Sequence, residues 1–226
     1  MSEKKYIFTG EEKQLRINFR IVTLHRIKAI RTFGDVMTGD LGGWVEKHDN
    51  LSHDGTAWVY DDAMACDSAL ICGDAQLRDT ALAQDFAKVF GNSKISGNAI
   101  ISQRAVICGK AQISDEAEIT DTATIGDDAI IRGNAKISGN VLVGNGAEIS
   151  TTEHILVVGP IGSRDAYTIF YRNTAGSVSV RCGCFNGNAE YFLDSVNNVH
   201  KGTKHAKLYE AAARLARLQI QGIEER

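Results

Sequence analysis

The sequence predicts an all-β protein with a small α+β C-terminal domain, organised around a parallel β-helix that runs from Ala57 to Ile149. Two periodic series predict that helix. Every sixth residue from Ala57 to Ala147 is small or valine, and the residue two positions further on is always apolar, from Val59 to Ile149. The register persists along this whole segment without one insertion. A fixed short period of this kind is the sequence signature of a solenoid.

The spacing of the two series defines the shape of each repeat. Residues two apart on a strand point to the same side, so each repeat supplies a short strand whose two marked residues face inward. The remaining positions are rich in Gly, Asn, Asp and charged residues, which favour the corners. Three such sides close one coil, so the segment predicts about five coils stacked about 4.8 Å apart. With 22 glycines and a single proline in the chain, Gly, Asn and Asp must form the turns.

The repeat resembles the [LIV]-x-x-x-[STAV]-x motif of the hexapeptide-repeat transferase superfamily. The resemblance implies a left-handed parallel β-helix, against the general preference for right-handed crossovers, and assembly of the rods as trimers. We expect an N-terminal β cap at residues 1–50, the rod at residues 51–150 and a C-terminal domain at residues 151–226. The lead-in Gly39-Asp-Leu-Gly-Gly-Trp44 resembles that of uncharacterised hexapeptide-repeat proteins from bacteria and their phages.

One outward column of the predicted rod is apolar. The middle residue of each strand triplet points outward, and Met64, Leu82 and Ile100 lie one coil apart on the same face. Single apolar side chains on a surface are normal, whereas a contiguous apolar patch is typical of an interface. We therefore expect a homo-oligomer, a trimer by the resemblance, whose interface includes these three residues.

The period stops after Ser150, and a different pattern follows. Alternating residues predict strands, a polar turn separates two of them, and apolar residues at helical spacing predict two helices. The predicted elements are strands at 155–158, 167–172 and 177–181, a turn at 173–176, and helices at 188–200 and 204–221. The segments GPIGSR and VRCGCFNG, before and after the hairpin, resemble parts of small domains in phage-encoded proteins of unknown role, and this resemblance implies a phage or prophage source.

Composition excludes several classes of partner. The net charge is −3, which does not favour a nucleic-acid polymer. The first residues, MSEKKYIF, lack the apolar region of a signal peptide, and no apolar run approaches the roughly 20 residues of a membrane span. Five cysteines without a framework spacing fit a reducing compartment. We expect a cytoplasmic protein, in the host cell if it is phage-encoded, without a membrane partner.

The histidine distribution argues against catalysis on the rod. Acyltransferases of this fold need a general base, and γ-class carbonic anhydrases need three histidines on zinc. The sequence has no histidine between Asp54 and Glu153, and His53 and His154 lie at opposite ends of the rod. We therefore expect no catalytic residue, metal or cofactor there. An acyltransferase-like enzyme acting in clefts between subunits remains the alternative, and a structural phage protein is a third.

The C-terminal domain carries the candidate ligand site. A glycine-led turn and a glycine-punctuated loop before a helix can offer free N–H groups to an anion, while arginines clamp it and aromatic rings stack on a base. A tight turn and a helix cap are the structural alternative. The candidate residues are Gly162, Ser163, Arg164, Tyr167, Tyr171, Arg181, Gly183 and Phe185.

Two cysteines beside this site leave a second possibility open. Cys182 and Cys184 could bind zinc with His200 or His205, but a C-x-C pair alone is a weak signal and packed free cysteines are favoured. The functional expectation is therefore a non-enzymatic oligomeric protein that holds a small anionic molecule, such as a nucleotide. In a phage, this protein would sequester a host defence signal.

Overall fold

The computed structural model describes residues 3–17, 19–163 and 165–222. It confirms the predicted fold class: a β-solenoid carries an antiparallel hairpin at its N-terminal end and a small domain with one sheet and two helices at the other. Among the described residues, no helix is both long and apolar enough to cross a membrane.

The rod consists of very short strands joined by corners. Its two-residue strands, β4 to β19, are Trp58–Val59, Met64–Ala65, Leu70–Ile71, Gln76–Leu77, Leu82–Ala83, Lys88–Val89, Lys94–Ile95, Ile100–Ile101, Val106–Ile107, Gln112–Ile113, Glu118–Ile119, Thr124–Ile125, Ile130–Ile131, Lys136–Ile137, Leu142–Val143 and Glu148–Ile149. Each strand pairs in parallel with the strand three places along the chain, which produces three flat faces. Face 1 contains β5 and every third strand after it, face 2 starts at β6, and face 3 starts at β4.

The rod has one more turn than the repeat predicts, about six in all. Strand β3 (Leu41–Val45) pairs in parallel with β5, and Leu51 forms a parallel bridge with Ile71, so both belong to a first turn that ends at Val59. Val45, Leu51 and Val59 are inward residues of this turn, and all are buried. The spacing from Leu51 to Val59 is two residues longer than in the repeat, so the period does not reveal this turn.

The predicted inward register is confirmed. Every residue of both series is buried, and Val141, the most exposed of them, shows 3% of its surface. Ser93 replaces alanine at one inward position, and its hydroxyl donates to the Phe90 carbonyl at 2.9 Å. A buried hydroxyl without such a partner would destabilise the fold. Each buried aliphatic side chain contributes roughly 1.5–3 kcal/mol.

The corners use the left-handed backbone conformation once per repeat. Every sixth residue from Asp61 to Asn145 has a φ between 45° and 80°. These corner residues are Asp, Asn or Gly, which tolerate that conformation best, with the single exception of Gln103.

Corner aspartates also connect successive turns. The carboxylate of a corner aspartate accepts the backbone N–H of the corner residue one turn later, as Asp61 does from Asp79 at 3.1 Å and Asp79 from Gly97 at 2.7 Å. We call this set of contacts the aspartate ladder. Its other members are Asp67 to Asp85, Asp85 to Gln103, Asp115 to Gly133, Asp121 to Gly139 and Asp127 to Asn145.

The N-terminal end of the rod is capped by hydrogen-bond donors. Backbone N–H groups of each turn donate to carbonyls of the next turn. The carbonyls of the first turn therefore receive no hydrogen bonds from a preceding turn. The Lys5 ammonium donates to the Ala57 carbonyl at 2.7 Å, and the Tyr6 hydroxyl donates to the Leu51 carbonyl at 3.2 Å. Lys5 is fully buried, and this burial lowers its pKa to about 8. Because buried carbonyls need partners, this end requires donors.

The N-terminal hairpin extends face 1 and folds partly over its outer surface. Strands β1 (Tyr6–Ile17) and β2 (Arg20–Ala29) are antiparallel, and β2 pairs with β3. Near the hairpin tip, Val22 and Leu24 form a buried cluster with Trp44. Met64 and Leu82 pack against this cluster.

The C-terminal end of the rod is capped by hydrogen-bond acceptors. The Lys136 N–H donates to Thr152 Oγ1, and the Ser150 N–H donates to His154 Nδ1, both at 3.2 Å. An antiparallel sheet then covers this end, with Ile169 and Tyr171 in the rod core and Phe170 in the core of the C-terminal domain. Its strands are β20 (Ile155–Ile161), β21 (Ala166–Arg172), β22 (Val178–Cys182) and β23 (Phe185–Asn188). The helices are α1 (Ala189–His200) and α2 (Lys204–Gln221).

Adjacent residues on face 1 test the inward register. Ile119→Asp should give insoluble or unfolded protein, because it places an unpaired carboxylate in the rod core. Glu118 points outward, where its carboxylate pairs with the Lys136 ammonium at 2.9 Å. Glu118→Gln should cost about 0–1 kcal/mol in unfolding free energy, as is usual for an exposed ion pair. Chemical denaturation measures both variants, and equal losses would contradict the register.

The pH dependence of stability tests the histidines at the two ends. Burial lowers the pKa of both His53 and His154 below the usual 6.5. The folded protein therefore favours their neutral forms. The stabilisation that comes from these neutral histidines is fully present above pH 6.5 and is lost as the pH falls through their lowered folded-state pKa values. The Tm measured from about pH 8 to about pH 5 should decline below pH 6.5.

A double variant provides the control for this decline. His53 Nδ1 accepts the Lys5 N–H at 3.3 Å, and His154 Nδ1 accepts the Ser150 N–H. In His53→Gln/His154→Gln, the amide oxygens can accept these bonds without titrating. The double variant should therefore lose the part of the pH dependence that these two histidines cause, while His48, whose pKa is also lowered by burial, keeps its own part. A decline as steep as in the parent protein would show that other groups cause it.

Candidate functional site

The C-terminal domain contains a cleft of about 310 Å³ between α1 and the turn that joins β22 to β23. Two aromatic rings, Phe185 and Phe192, form part of its wall, with their centroids 5.3 Å apart. Small, polar and aliphatic residues complete the lining: Ser163, Ala166, Cys182, Gly183, Cys184, Ser195, Val196, Val199, His200 and Tyr209.

Local sequence fixes the walls of this cleft. Cys182 pairs with Phe185 across the β22–β23 hairpin, and Gly183 adopts a φ of 59° in the turn. Asn188 begins α1, since its side chain accepts the Tyr191 N–H at 2.8 Å. An Asn at this position satisfies one of the free N–H groups of a helix start. The cleft is therefore bordered by a tight hairpin and a capped helix.

The inner end of the cleft is a network of weakly polar groups. The Thr168 hydroxyl donates to Cys182 Sγ at 3.3 Å, and Cys182 Sγ lies 3.8 Å from the Tyr209 hydroxyl. The Tyr209 ring contacts Phe192 edge to face, with the centroids 5.3 Å apart, and lies 6.2 Å from the His200 ring. The cleft thus combines an aromatic surface with thiol, hydroxyl and imidazole groups, an arrangement suited to a small, partly apolar molecule.

Four of the sequence-predicted site residues meet around this cleft. Ser163, Gly183 and Phe185 line it. Gly162 lies behind it, with a φ of 79°, and a Cβ there would come within 1.7 Å of the Tyr209 hydroxyl. Only glycine fits this close approach. Arg164 lies outside the described residues.

The other three predicted residues lie elsewhere. Tyr171 is 1% exposed in the rod core, so its ring is not accessible to a ligand. Arg181 is next to Cys182 on β22 and therefore points to the opposite face of the sheet. Tyr167 is half exposed and borders a separate groove beside Asn140 and Val157. The structure therefore does not bring Arg181 to Ser163.

The glycine-punctuated loop does not lead directly into a helix. Residues Phe185–Asn188 form strand β23, and α1 begins only at Ala189. The free N–H groups of that helix start therefore do not belong to the Cys182–Phe185 turn, and the helix-terminus argument for an anion fails there. Zinc gains no support either, since no three His, Cys, Asp or Glu side chains in the described ranges are placed to hold a metal.

Sequence reasoning missed the helical half of the site. Val199 has helical spacing with Phe192 and Val196, yet it is 74% exposed beside the cleft. On α2, Tyr209 is buried, whereas Leu215 is 49% exposed. The missed signal was the small-residue stripe at Ala206, Ala213 and Ala216, which lets α2 approach the sheet and positions Tyr209.

The predicted oligomer stripe is partly covered within the chain. Met64 and Leu82 are half-buried beneath the hairpin cluster, and Ile100 lies one turn further along face 1. The apolar area available to a second subunit is therefore smaller than the sequence implied. An interface that includes these residues stays a prediction.

Comparisons with known proteins reach only part of the chain. No protein-family model matches it. Over 61 residues, the chain is 36% identical to a protein of Escherichia coli (strain K12) described as "Uncharacterized acetyltransferase YdcK". The matched segment is 27% of this chain and 18% of that protein, so the chain spans less than a fifth of the relative that it matches. The six-residue period, the β-solenoid and this similarity together fit a hexapeptide-repeat protein.

Proposed function

We propose that this protein is a non-enzymatic binding protein whose rod carries a C-terminal cleft for a small molecule. The observation that carries the proposal is the convergence of Ser163, the Gly183–Cys184 turn and α1 around one cleft of about 310 Å³. That volume lies at the lower end of the range for ligand pockets. The rod itself supplies no histidine between residues 54 and 153 to act as a general base.

The walls of the cleft suggest a ligand with a planar or acyl portion. Phe185 and Phe192 present an aromatic surface, and His200 offers an imidazole at the same cleft. The aromatic part of a nucleotide can stack on the phenylalanine surface, and its polar groups can form hydrogen bonds with the imidazole. Sequestration of a host signal by a phage-encoded oligomer is a finer form of this proposal, supported by the sequence resemblance.

A cleft-filling variant tests this function. Ser195 lines the cleft on an exposed position of α1, so Ser195→Trp should fill the cleft without disturbing the core. Asn197 is exposed on the same helix but does not line the cleft, which makes Asn197→Trp the matched control. Native mass spectrometry of freshly purified full chain should show a bound small molecule in the parent and in Asn197→Trp. The Ser195→Trp protein should lack it.

Calorimetry extends the test to defined probes. The panel consists of mono-, di- and cyclic nucleotides and acetyl-CoA. Binding in the parent should weaken at least about tenfold in Ser195→Trp, a loss of about 1.4 kcal/mol. The proposal fails if no molecule co-purifies and no probe binds, or if the two tryptophan variants behave alike.

The alternative is an acyltransferase-like enzyme, which the similarity to the Escherichia coli protein favours. Incubation of the full chain with acetyl-CoA and amine or hydroxyl acceptors distinguishes the two classes. Release of free CoA over many turnovers would establish catalysis and overturn the non-enzymatic proposal.

A further inference from the structure

A second groove lies on the rod itself, at the corner between faces 1 and 2. Its volume is about 420 Å³, and it is open to solvent along the rod. Three successive turns contribute two lining residues each: Asp85, Phe86, Gln103, Arg104, Asp121 and Thr122. The C-terminal cleft shares none of these residues.

The repeat changes at this groove. Gln103 is the one corner residue between positions 61 and 145 that is not Asp, Asn or Gly, and its φ is 56°. Glutamine rarely adopts this left-handed conformation. A backbone outlier of this kind motivates a functional hypothesis for the residue. Phe86 follows the corner one turn earlier and is 58% exposed, at a position that is polar or glycine in every other repeat from Asp62 to Gly146. Both departures from the repeat lie in the same groove.

Gln103 interrupts the aspartate ladder. Asp67 and Asp85 each accept an N–H from the corner one turn later, and Asp121 does the same for Gly139. At position 103 the side chain is an amide, which donates to Thr120 Oγ1 at 3.2 Å instead. The Asp121 N–H therefore lacks the carboxylate that a corner aspartate would supply. The backbone N–H of Asp121, a residue that lines the groove, is therefore left without this acceptor.

The charges in the groove exclude a strongly anionic ligand. Two carboxylates, Asp85 and Asp121, face one guanidinium, Arg104, whose central carbon lies 5.7 Å from the centre of the Phe86 ring. A phosphate or sulfate would meet more negative than positive charge here. A neutral molecule with many hydroxyl groups can instead donate to the carboxylates and accept from the guanidinium.

We propose that this groove binds a neutral saccharide: a pyranose ring displaces the Arg104 guanidinium from its position over Phe86 and stacks on that ring. The apolar C–H face of a pyranose suits the exposed aromatic ring. Its hydroxyls would donate to Asp85 and Asp121 and accept from Arg104 and the Asp121 N–H. Because the groove is open along the rod, an oligosaccharide can extend past a single bound ring.

The segment around Phe86 supplies a control residue for this test. Phe86 and Phe90 flank β9, both are exposed aromatics, and only Phe86 lines the groove. Calorimetry on the full chain uses neutral tetrasaccharides of glucose, galactose and N-acetylglucosamine as probes, with a heparin tetrasaccharide as the sulfated comparison. At least one neutral probe should bind with a Kd below about 10 mM. Phe86→Ala should weaken that binding at least about tenfold, and Phe90→Ala should leave it within about twofold.

A third variant separates binding from stability. Gln103→Asp should complete the aspartate ladder by offering a carboxylate to the Asp121 N–H, so the Tm should not fall. Saccharide binding should nevertheless weaken about tenfold, because that donor is then occupied. The proposal is overturned if no neutral probe binds, if the heparin tetrasaccharide binds more tightly than the neutral probes, or if Phe86→Ala and Phe90→Ala have equal effects. It is also overturned if Gln103→Asp binds as well as the parent.

Discussion

The structure depends on the direction of the hydrogen bonds between successive turns of the rod. Because all strands of the rod are parallel, N–H groups of one turn donate to carbonyls of the next, as Trp58 does to Ala75 and Cys108 to Ile125. The rod therefore has a carbonyl end and an N–H end, and each end needs a different cap. Lys5, Tyr6 and asparagine donors occur at the first, while threonine and histidine acceptors occur at the second.

This polarity also separates the roles of the two terminal segments. The N-terminal segment inserts a buried ammonium and a tyrosine hydroxyl at the carbonyl end and then extends face 1 as a hairpin. The C-terminal sheet covers the N–H end with Ile169 and Tyr171 and leaves its other face to α1 and α2. The helices cover the apolar second face of this sheet. The cleft that we propose as a ligand site lies where α1 meets the edge of the sheet at the β22–β23 turn.

The sequence was sufficient to predict the repeated part of the rod. It was insufficient for the first turn, the hairpin cover and the cleft, which do not repeat. The inward register of the rod follows from periodicity alone, since one residue type recurs at one position. The first turn was missed because two extra residues separate Leu51 from Val59. The hairpin cover over Met64 and the position of Arg181 across the sheet from Ser163 depend on tertiary packing, which no local pattern encodes. Only part of the cleft was predicted. Gly183 and Phe185 belong to one turn and are close in sequence, whereas Tyr209 lies on a helix that is distant in sequence.

The polarity of the rod is tested most directly by amide hydrogen exchange on face 2 of the full chain. In the first turn, the Ser52 N–H donates to the Ile71 carbonyl at 2.9 Å. In the last turn, β18 is the final strand of face 2, so the N–H group of Leu142 has no turn beyond it. Exchange at Ser52 should therefore be slow, and exchange at Leu142, which is partly exposed, should be fast. Equal protection at both ends, or faster exchange at Ser52 than at Leu142, would contradict the direction of the hydrogen bonds.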